Sequence, residues 1–200
     1  MRKAIYLCTV ITSLVLWILL VPGCTSHGNS QTPRIVIKTG YGDIDVELYA
    51  DKAPKTVAAF LANIDADLYK GGSFYRVLKN EDAPAEYNQG LIQGGIFQMK
   101  PDVHAAAVPH ESPRQTGISH ESGTLSMART GPGTATSEFF ICIGNQKQFD
   151  SSSRGSSDGL GYAAFGKVVS GMDVVRAIQN ARSSGDKFIA PIAIKNIERD

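Results

Sequence analysis

The sequence predicts a mainly β domain, an antiparallel barrel or sandwich, and three observations carry that fold class. Short apolar runs separated by loops rich in Pro, Gly, Ser and Asn recur along the chain and give seven or eight strands. Only two stretches carry helical periodicity, which leaves too few helices for a layered α/β fold. The 20 glycines among 200 residues favour turns and close backbone approaches over long helices. A chain of this length fits one domain with a sizeable core.

The first strands are the clearest. Ile35, Val36 and Ile37 lead into Gly40-Tyr41-Gly42, after which Ile44, Val46 and Leu48 alternate with Asp43, Asp45 and Glu47. That is a hairpin with one wet face. Asp43 and Asp45 lack the glycine and distal glutamate of a calcium loop, so they read as solvent-facing strand carboxylates. Pro54 then opens a helix whose Val57, Phe60, Leu61 and Ile64 fall at i, i+3, i+4 and i+7. Gly71-Gly72 ends that region. Strands are predicted over Phe74–Leu78, Leu91–Met99, Thr124–Ala128, Phe139–Ile143 and Tyr162–Val169. A second helix is predicted over Met172–Ala181 and a closing strand over Phe188–Ile197, with Pro191 placing that strand at an edge or delaying its start. Lys100–Ser122 and Gln146–Gly161 are longer than a compact domain usually carries without reason, and long loops on a β scaffold tend to hold function.

The N-terminus is a different kind of sequence. Arg2 and Lys3 precede an apolar run from Ala4 to Val21, and Pro22-Gly23-Cys24 follows. A short positive head, an apolar middle and a small-residue end read as a secretory signal over residues 1–23. Val21-Pro22-Gly23-Cys24 resembles the end of a lipoprotein signal, in which the cysteine receives diacylglycerol; Pro22 is an unusual residue for its place. The competing reading is an uncleaved anchor, since about 18 apolar residues just span a bilayer. Both put the domain outside the cytoplasm. Thr25 after the cysteine points to the outer membrane in a cell with two membranes. Residues 24–33 are polar and turn-rich and read as a tether to a domain over 34–198. With Cys8 in the signal and Cys24 carrying lipid, Cys142 stands alone and has no disulfide partner; its apolar run makes it a core residue.

Charge and motifs exclude several classes. Arg2 and Lys3 account for two of the 20 basic residues, so the chain from Cys24 on holds 18 against 19 acidic ones. Such a surface has no general attraction for nucleic acid or anionic lipid. Gly155-Ser156-Ser157-Asp158-Gly159 fits a serine-hydrolase pattern but lacks the strand and helix of a nucleophile elbow. His104, His110 and His120 match no zinc spacing and read as solvated loop residues. Gly131-Pro132-Gly133 lacks the later glycine and lysine of a phosphate loop. No cofactor or metal is expected.

Several segments taken together carry more. Phe74-Tyr75-Arg76-Val77 is followed by Ile92-Gln93-Gly94-Gly95, then Leu125-Ser126-Met127-Ala128-Arg129-Thr130, Ser137-Glu138-Phe139-Phe140-Ile141, Phe165-Gly166-Lys167-Val168 and Gly171-Met172-Asp173. In this order they resemble the cyclophilin-type peptidyl-prolyl cis/trans isomerases, and Met-Ala-Arg-Thr resembles their bacterial branch. The resemblance spans about Arg34 to Ile197. It implies a closed eight-stranded antiparallel β-barrel capped by two α-helices, with a proline-binding groove on its outer surface. Position by position, it implies that Arg76 is the catalytic arginine and Gln93 its brace. Phe140 becomes the floor of the proline pocket, with Phe149 and Tyr162 its walls. Ala128 and Arg129 would bond the substrate backbone as an added strand does. The implied partners are proline-containing polypeptides, bound by a monomer that is held at a membrane only through its lipid.

The physical reading agrees. Rotating an X-Pro bond loses amide resonance, a barrier of about 18–20 kcal/mol. In the twisted state the prolyl nitrogen becomes an acceptor, and a guanidinium aimed at it bonds the transition state and not the planar ground state. A charged hydrogen bond contributes roughly 1.5–3 kcal/mol, whereas a rate gain of about 10⁵ needs roughly 7. The remainder falls to an apolar slot that fixes the ring and excludes water. Taken singly, Arg76 reads as a surface arginine, Gln93 as a turn residue and Phe140 and Phe149 as core.

The chain departs from the family pattern in places. Leu78–Leu91 is longer than the usual loop; Gly90 stands where an aromatic wall would be, Leu91 replaces a methionine, and Tyr87 is a candidate substitute wall. Glu138 stands where glutamine is common, among the residues taken to bind substrate, and adds a negative charge beside the groove that at pairing distance from Arg76 would compete with the substrate. Gln148 stands where cyclosporin-sensitive members have tryptophan, so weak cyclosporin binding is expected. These departures leave a rival of another class, a proline-peptide-binding module or chaperone with little or no turnover.

Overall fold

The computed structural model describes residues 32–79 and 89–200. The signal, Cys24, most of the tether and Tyr87 lie outside the described residues.

β1 (Arg34–Thr39) and β2 (Asp43–Leu48) form the expected hairpin, pairing Ile35 with Val46 and Ile37 with Ile44. Their alternate residues Ile35, Ile37, Ile44, Val46 and Leu48 are fully buried. The later strands are β3 (Gly72–Leu78), β4 (Gly90–Gly95), β5 (Thr124–Met127), β6 (Phe139–Ile143), β7 (Ala163–Ser170), β8 (Ser183–Ser184) and β9 (Lys187–Arg199). Neighbours run β1-β2-β7-β5-β6-β4-β3-β9, and β9 pairs back onto β1. This closes an eight-stranded antiparallel barrel and removes the open edges that a sandwich keeps. Among the described residues the two-residue β8 pairs only with β9.

Closure depends on β9, and Pro191 does not behave as expected. The strand begins earlier than predicted, at Lys187, and is not an edge: residues 187–194 pair with β3 and 194–199 with β1. Pro191 is tolerated because the ladder with β3 breaks there. Phe74 pairs with Ile192 and Arg76 with Lys187, so no bond is required of the missing amide.

Two helices pack on the barrel as predicted, α1 (Pro54–Asp65) and, after the short α2 (Pro113–Thr116), α3 (Met172–Gln179). One turn is too short for a periodic stripe, which is why α2 escapes sequence reading. Its start is nonetheless marked by a capping box between Ser112 and Gln115. Phe60 of α1 meets the rings of Tyr69, Phe139 and Phe165 at 4.9, 5.5 and 5.0 Å in the main core. The first turn of α1 has no side-chain cap of its own. Instead the Glu111 carboxylate accepts the Thr56 amide at 2.8 Å, the Thr56 hydroxyl at 2.7 Å and the Lys55 amide at 3.2 Å, tying the long loop to the helix.

β6 supports two cores. Phe139, Ile141 and Ile143 join the main core, while Phe140 and Cys142 belong to a second cluster with Leu91, Leu78, Ala128, Phe149 and Tyr162. With both faces covered, the strand reads as an unbroken apolar run. Cys142 is fully buried, as expected, but in this second cluster, where burial pushes its thiol far above the usual range.

Candidate active site

A hollow of about 490 Å³ lies over the second cluster. Arg76, Leu91, Gln93, Ala128, Arg129, Glu138, Phe140, Phe149 and Tyr162 all line it. Residues from β3, β4, β6, the segment just after β5 and the stretch from Phe149 to Tyr162 are thus brought to one place from positions 86 residues apart between Arg76 and Tyr162.

The apolar end is built of rings. Phe140, Phe149 and Tyr162 meet pairwise edge-to-face, with centroids 5.4–5.5 Å apart. Phe140 is 3% exposed and forms the floor. Behind it stands His120, stacked at 5.9 Å, which corrects the expectation of a solvated loop histidine. His120 Nδ1 lies 2.7 Å from Asp150 Oδ1 and its Nε2 2.9 Å from Ser126 Oγ. The order resembles a nucleophile triad, but His120 and Ser126 are fully buried and Ser126 does not line the hollow, so no substrate carbonyl reaches its hydroxyl. The chain holds the floor in place.

Burial depresses the His120 pKa below 6.5 and outweighs Asp150. Burial would raise Asp150, but hydrogen bonds from Ser119 and His120 hold it low. A neutral ring therefore donates Nδ1–H to an ionised carboxylate and accepts from Ser126. His110 is likewise depressed, by burial first and the Arg129 charge second. Both histidines take up protons more readily unfolded, so their contribution to stability is complete well above pH 6.5 and is lost as pH falls below it. The urea midpoint is expected to be flat from pH 8 to about 7.5 and to fall steadily from about pH 6.5 to 5. A midpoint that rises over the acidic range would contradict neutral buried rings.

The polar end centres on Arg76, whose side chain is 39% exposed. Its Nη1 donates to Gln93 Oε1 at 3.1 Å, and its Nε donates to Asp186 Oδ2 at 2.9 Å. Gln93 Nε2 in turn donates to the Tyr75 hydroxyl at 2.9 Å. Sequence reading missed Tyr75 and Asp186. Tyr75 sits in the quoted motif beside Arg76 and lines the hollow; burial, and then the Glu138 charge, push its phenol far up, so it stays neutral.

Glu138 does not pair with Arg76, against expectation. Its Oε1 accepts the amides of Ile96 at 2.8 Å and Phe97 at 3.0 Å, and the Ser137 hydroxyl at 3.2 Å. The two amides lie just past the end of β4, so the carboxylate serves as a backbone clamp.

Arg129 is also more structural than its place suggests. Its side chain is 4% exposed; it bonds both Asp158 oxygens at 2.6 and 3.0 Å and the Gly161 carbonyl at 2.6 Å, over the Tyr162 ring. Asp158 thereby belongs to a loop clamp rather than a nucleophile elbow. The Ala128 amide donates to the Glu138 carbonyl at 2.8 Å.

Gly90 does not line the hollow. Its φ is +150° and a Cβ there would meet the Leu78 carbonyl oxygen at 1.9 Å, so an aromatic at this position cannot supply a wall. Gln148 is exposed and also lies outside the lining, bonded to Gln146 at 2.5 Å. Among the described residues no group of three His, Cys, Asp or Glu is placed to hold a metal.

A family model described as cyclophilin type peptidyl-prolyl cis-trans isomerase/CLD matches residues 34–199. A peptidyl-prolyl cis-trans isomerase of Acinetobacter baylyi is 37% identical over 161 residues, covering 80% of this chain and 78% of its own length. Peptidyl-prolyl cis-trans isomerase B of Escherichia coli is 36% identical, covering 72% of this chain and 83% of its own. Among solved structures, a cyclophilin type isomerase of Cryptosporidium parvum in the presence of the dipeptide Ala-Pro superposes with a TM-score of 0.68 at 26% identity, covering 84% of this chain and 98% of that one.

Proposed function

The chain belongs to the cyclophilin-type peptidyl-prolyl cis/trans isomerases, cofactor-independent enzymes, and from that premise we propose that it is an exported member. In this reading it is tethered to a membrane through lipid on Cys24 and twists X-Pro bonds of exported polypeptides in a groove on the outer surface of the barrel. The observation that carries the chemistry is the placement of the Arg76 guanidinium at the rim of the same hollow whose floor is Phe140. Period-two alternation of β6 supports the outer location: Phe139 and Ile141 point to the main core, so Phe140 points away from it.

The proline ring packs on Phe140 between Phe149 and Tyr162. With Nε and Nη1 engaged behind it, the guanidinium turns its Nη2 edge toward the bond being twisted, where the prolyl nitrogen accepts as the amide leaves planarity. Tyr75 and Gln93 form a neutral relay that fixes Nη1. The ring slot excludes water and strengthens the charged bond.

Exchange spectroscopy on an X-Pro peptide tests the reading. The wild type is expected to accelerate cis/trans exchange, and Arg76→Ala to bind the peptide while exchanging it far more slowly. Peptide binding with no exchange in either protein would leave a binding module instead. For the anchor, Cys24→Ser is expected to move the protein from the membrane to the soluble fraction; unchanged membrane retention would indicate an uncleaved N-terminal span.

A further inference from the structure

We infer that Asp186 is a positioning residue for the isomerase reaction, holding the Arg76 guanidinium in the orientation that serves the twisted amide; the inference rests on the reading of Arg76 as the catalytic arginine.

Three features of the fold place it there. β8 and β9 pair Ser183 with Phe188 and Ser184 with Lys187, leaving a two-residue loop, Gly185-Asp186. Gly185 has φ +57°, as the first central position of such a hairpin favours glycine. The Asp186 carbonyl accepts the Val77 amide at 2.9 Å, so the turn is pinned to the strand that carries Arg76. The carboxylate then meets Arg76 Nε at 2.9 Å.

Asp186 acts from behind. It does not line the hollow, whereas Arg76 and Gln93 do, so the carboxylate bonds the guanidinium without standing in the substrate's path. Two donors of the planar fork are now engaged by acceptors from different elements, Asp186 of the β8–β9 turn at Nε and Gln93 of β4 at Nη1. That fixes the plane and leaves the remaining edge for the reaction. The pair itself adds little to the fold: the side chains are 39% and 48% exposed, and such pairs are worth little in stability. What it supplies is orientation, which acts on the transition state.

The test compares the full domain with Asp186→Ala, Asp186→Asn and Arg76→Ala by exchange spectroscopy, with thermal melts as a folding control. Asp186→Ala is expected to lower kcat by about fivefold, the upper range for an exposed pair, with KM within about twofold and an unchanged melt. Asp186→Asn, whose carboxamide oxygen still accepts from Nε, recovers part of the loss. Adding about 1 M salt lowers wild-type kcat toward the alanine variant's and leaves the variant unmoved, because the screened pair is then absent from both. In nitrogen-15 spectra the Arg76 Nε–H exchanges faster with water in Asp186→Ala. Wild-type kcat in Asp186→Ala while Arg76→Ala is inactive overturns the positioning role alone. Wild-type kcat in Arg76→Ala overturns the reading beneath it. A loss confined to KM assigns Asp186 to substrate binding and also refutes the proposal.

Discussion

Arg76→Ala is expected to lower kcat/KM for an X-Pro peptide by about 10- to 150-fold, the equivalent of one charged hydrogen bond worth roughly 1.5–3 kcal/mol. The loss should fall on kcat. A planar amide nitrogen offers the guanidinium no lone pair, so the bond exists only as the C–N bond twists, and removing it leaves ground-state binding nearly intact. Stability should hardly change, since the arginine is partly exposed and its ion pair with Asp186 lies at the surface. Arg76→Lys keeps the charge but loses the fork that Asp186 and Gln93 grip, so it should recover only part of the rate. Exchange spectroscopy with a peptide titration separates the two constants. Equal turnover by wild type and alanine variant, or a loss wholly in KM, would sink the assignment of the guanidinium to the twisted state.

Most of this architecture was legible because its signals are local. The alternation in Ile35–Leu48 and the stripe of Val57, Phe60, Leu61 and Ile64 state which face is buried, and the structure buries those faces. Barrel closure was not local: β9 holds both β1 and β3, and nothing in Phe188–Ile197 announces two partners. The second cluster was implied by the resemblance, through Phe140, Phe149 and Tyr162, but periodicity alone does not show it. β6 is apolar on both faces, so the period that would separate Phe140 and Cys142 from the core residues vanishes.

Polar partnership was the least legible. Glu138 was expected beside the groove with Arg76 as a candidate partner, but a carboxylate beside free amides is drawn to them, and Ile96 and Phe97 provide two. His120 looked like a loop histidine; its burial follows from Asp150, 30 residues away, which supplies a partner that periodicity cannot show. Asp186 sits 110 residues from Arg76 and is brought to it only by a hairpin whose strands are two residues long on one side.

Phe140→Ala should damage both fold and activity. The ring is 3% exposed and touches three aromatic neighbours, His120, Phe149 and Tyr162, within 6 Å. Truncating a buried Phe costs about 3–5 kcal/mol, and because the hollow already opens above this ring the lower end applies. That corresponds to a melting temperature lower by roughly 6–12 °C in a domain of this size. Below the melt, loss of the floor should raise KM by about tenfold or more, since burying an aromatic contact is worth roughly 1.5–3 kcal/mol. Phe140→Leu separates the two effects. It restores most of the volume, so stability should return to within about 1.5 kcal/mol of wild type. It does not restore a flat ring for proline to pack on, so binding should remain weakened. If Phe140→Leu recovers peptide affinity together with stability, the ring serves the fold alone and the proline slot must lie elsewhere in the hollow.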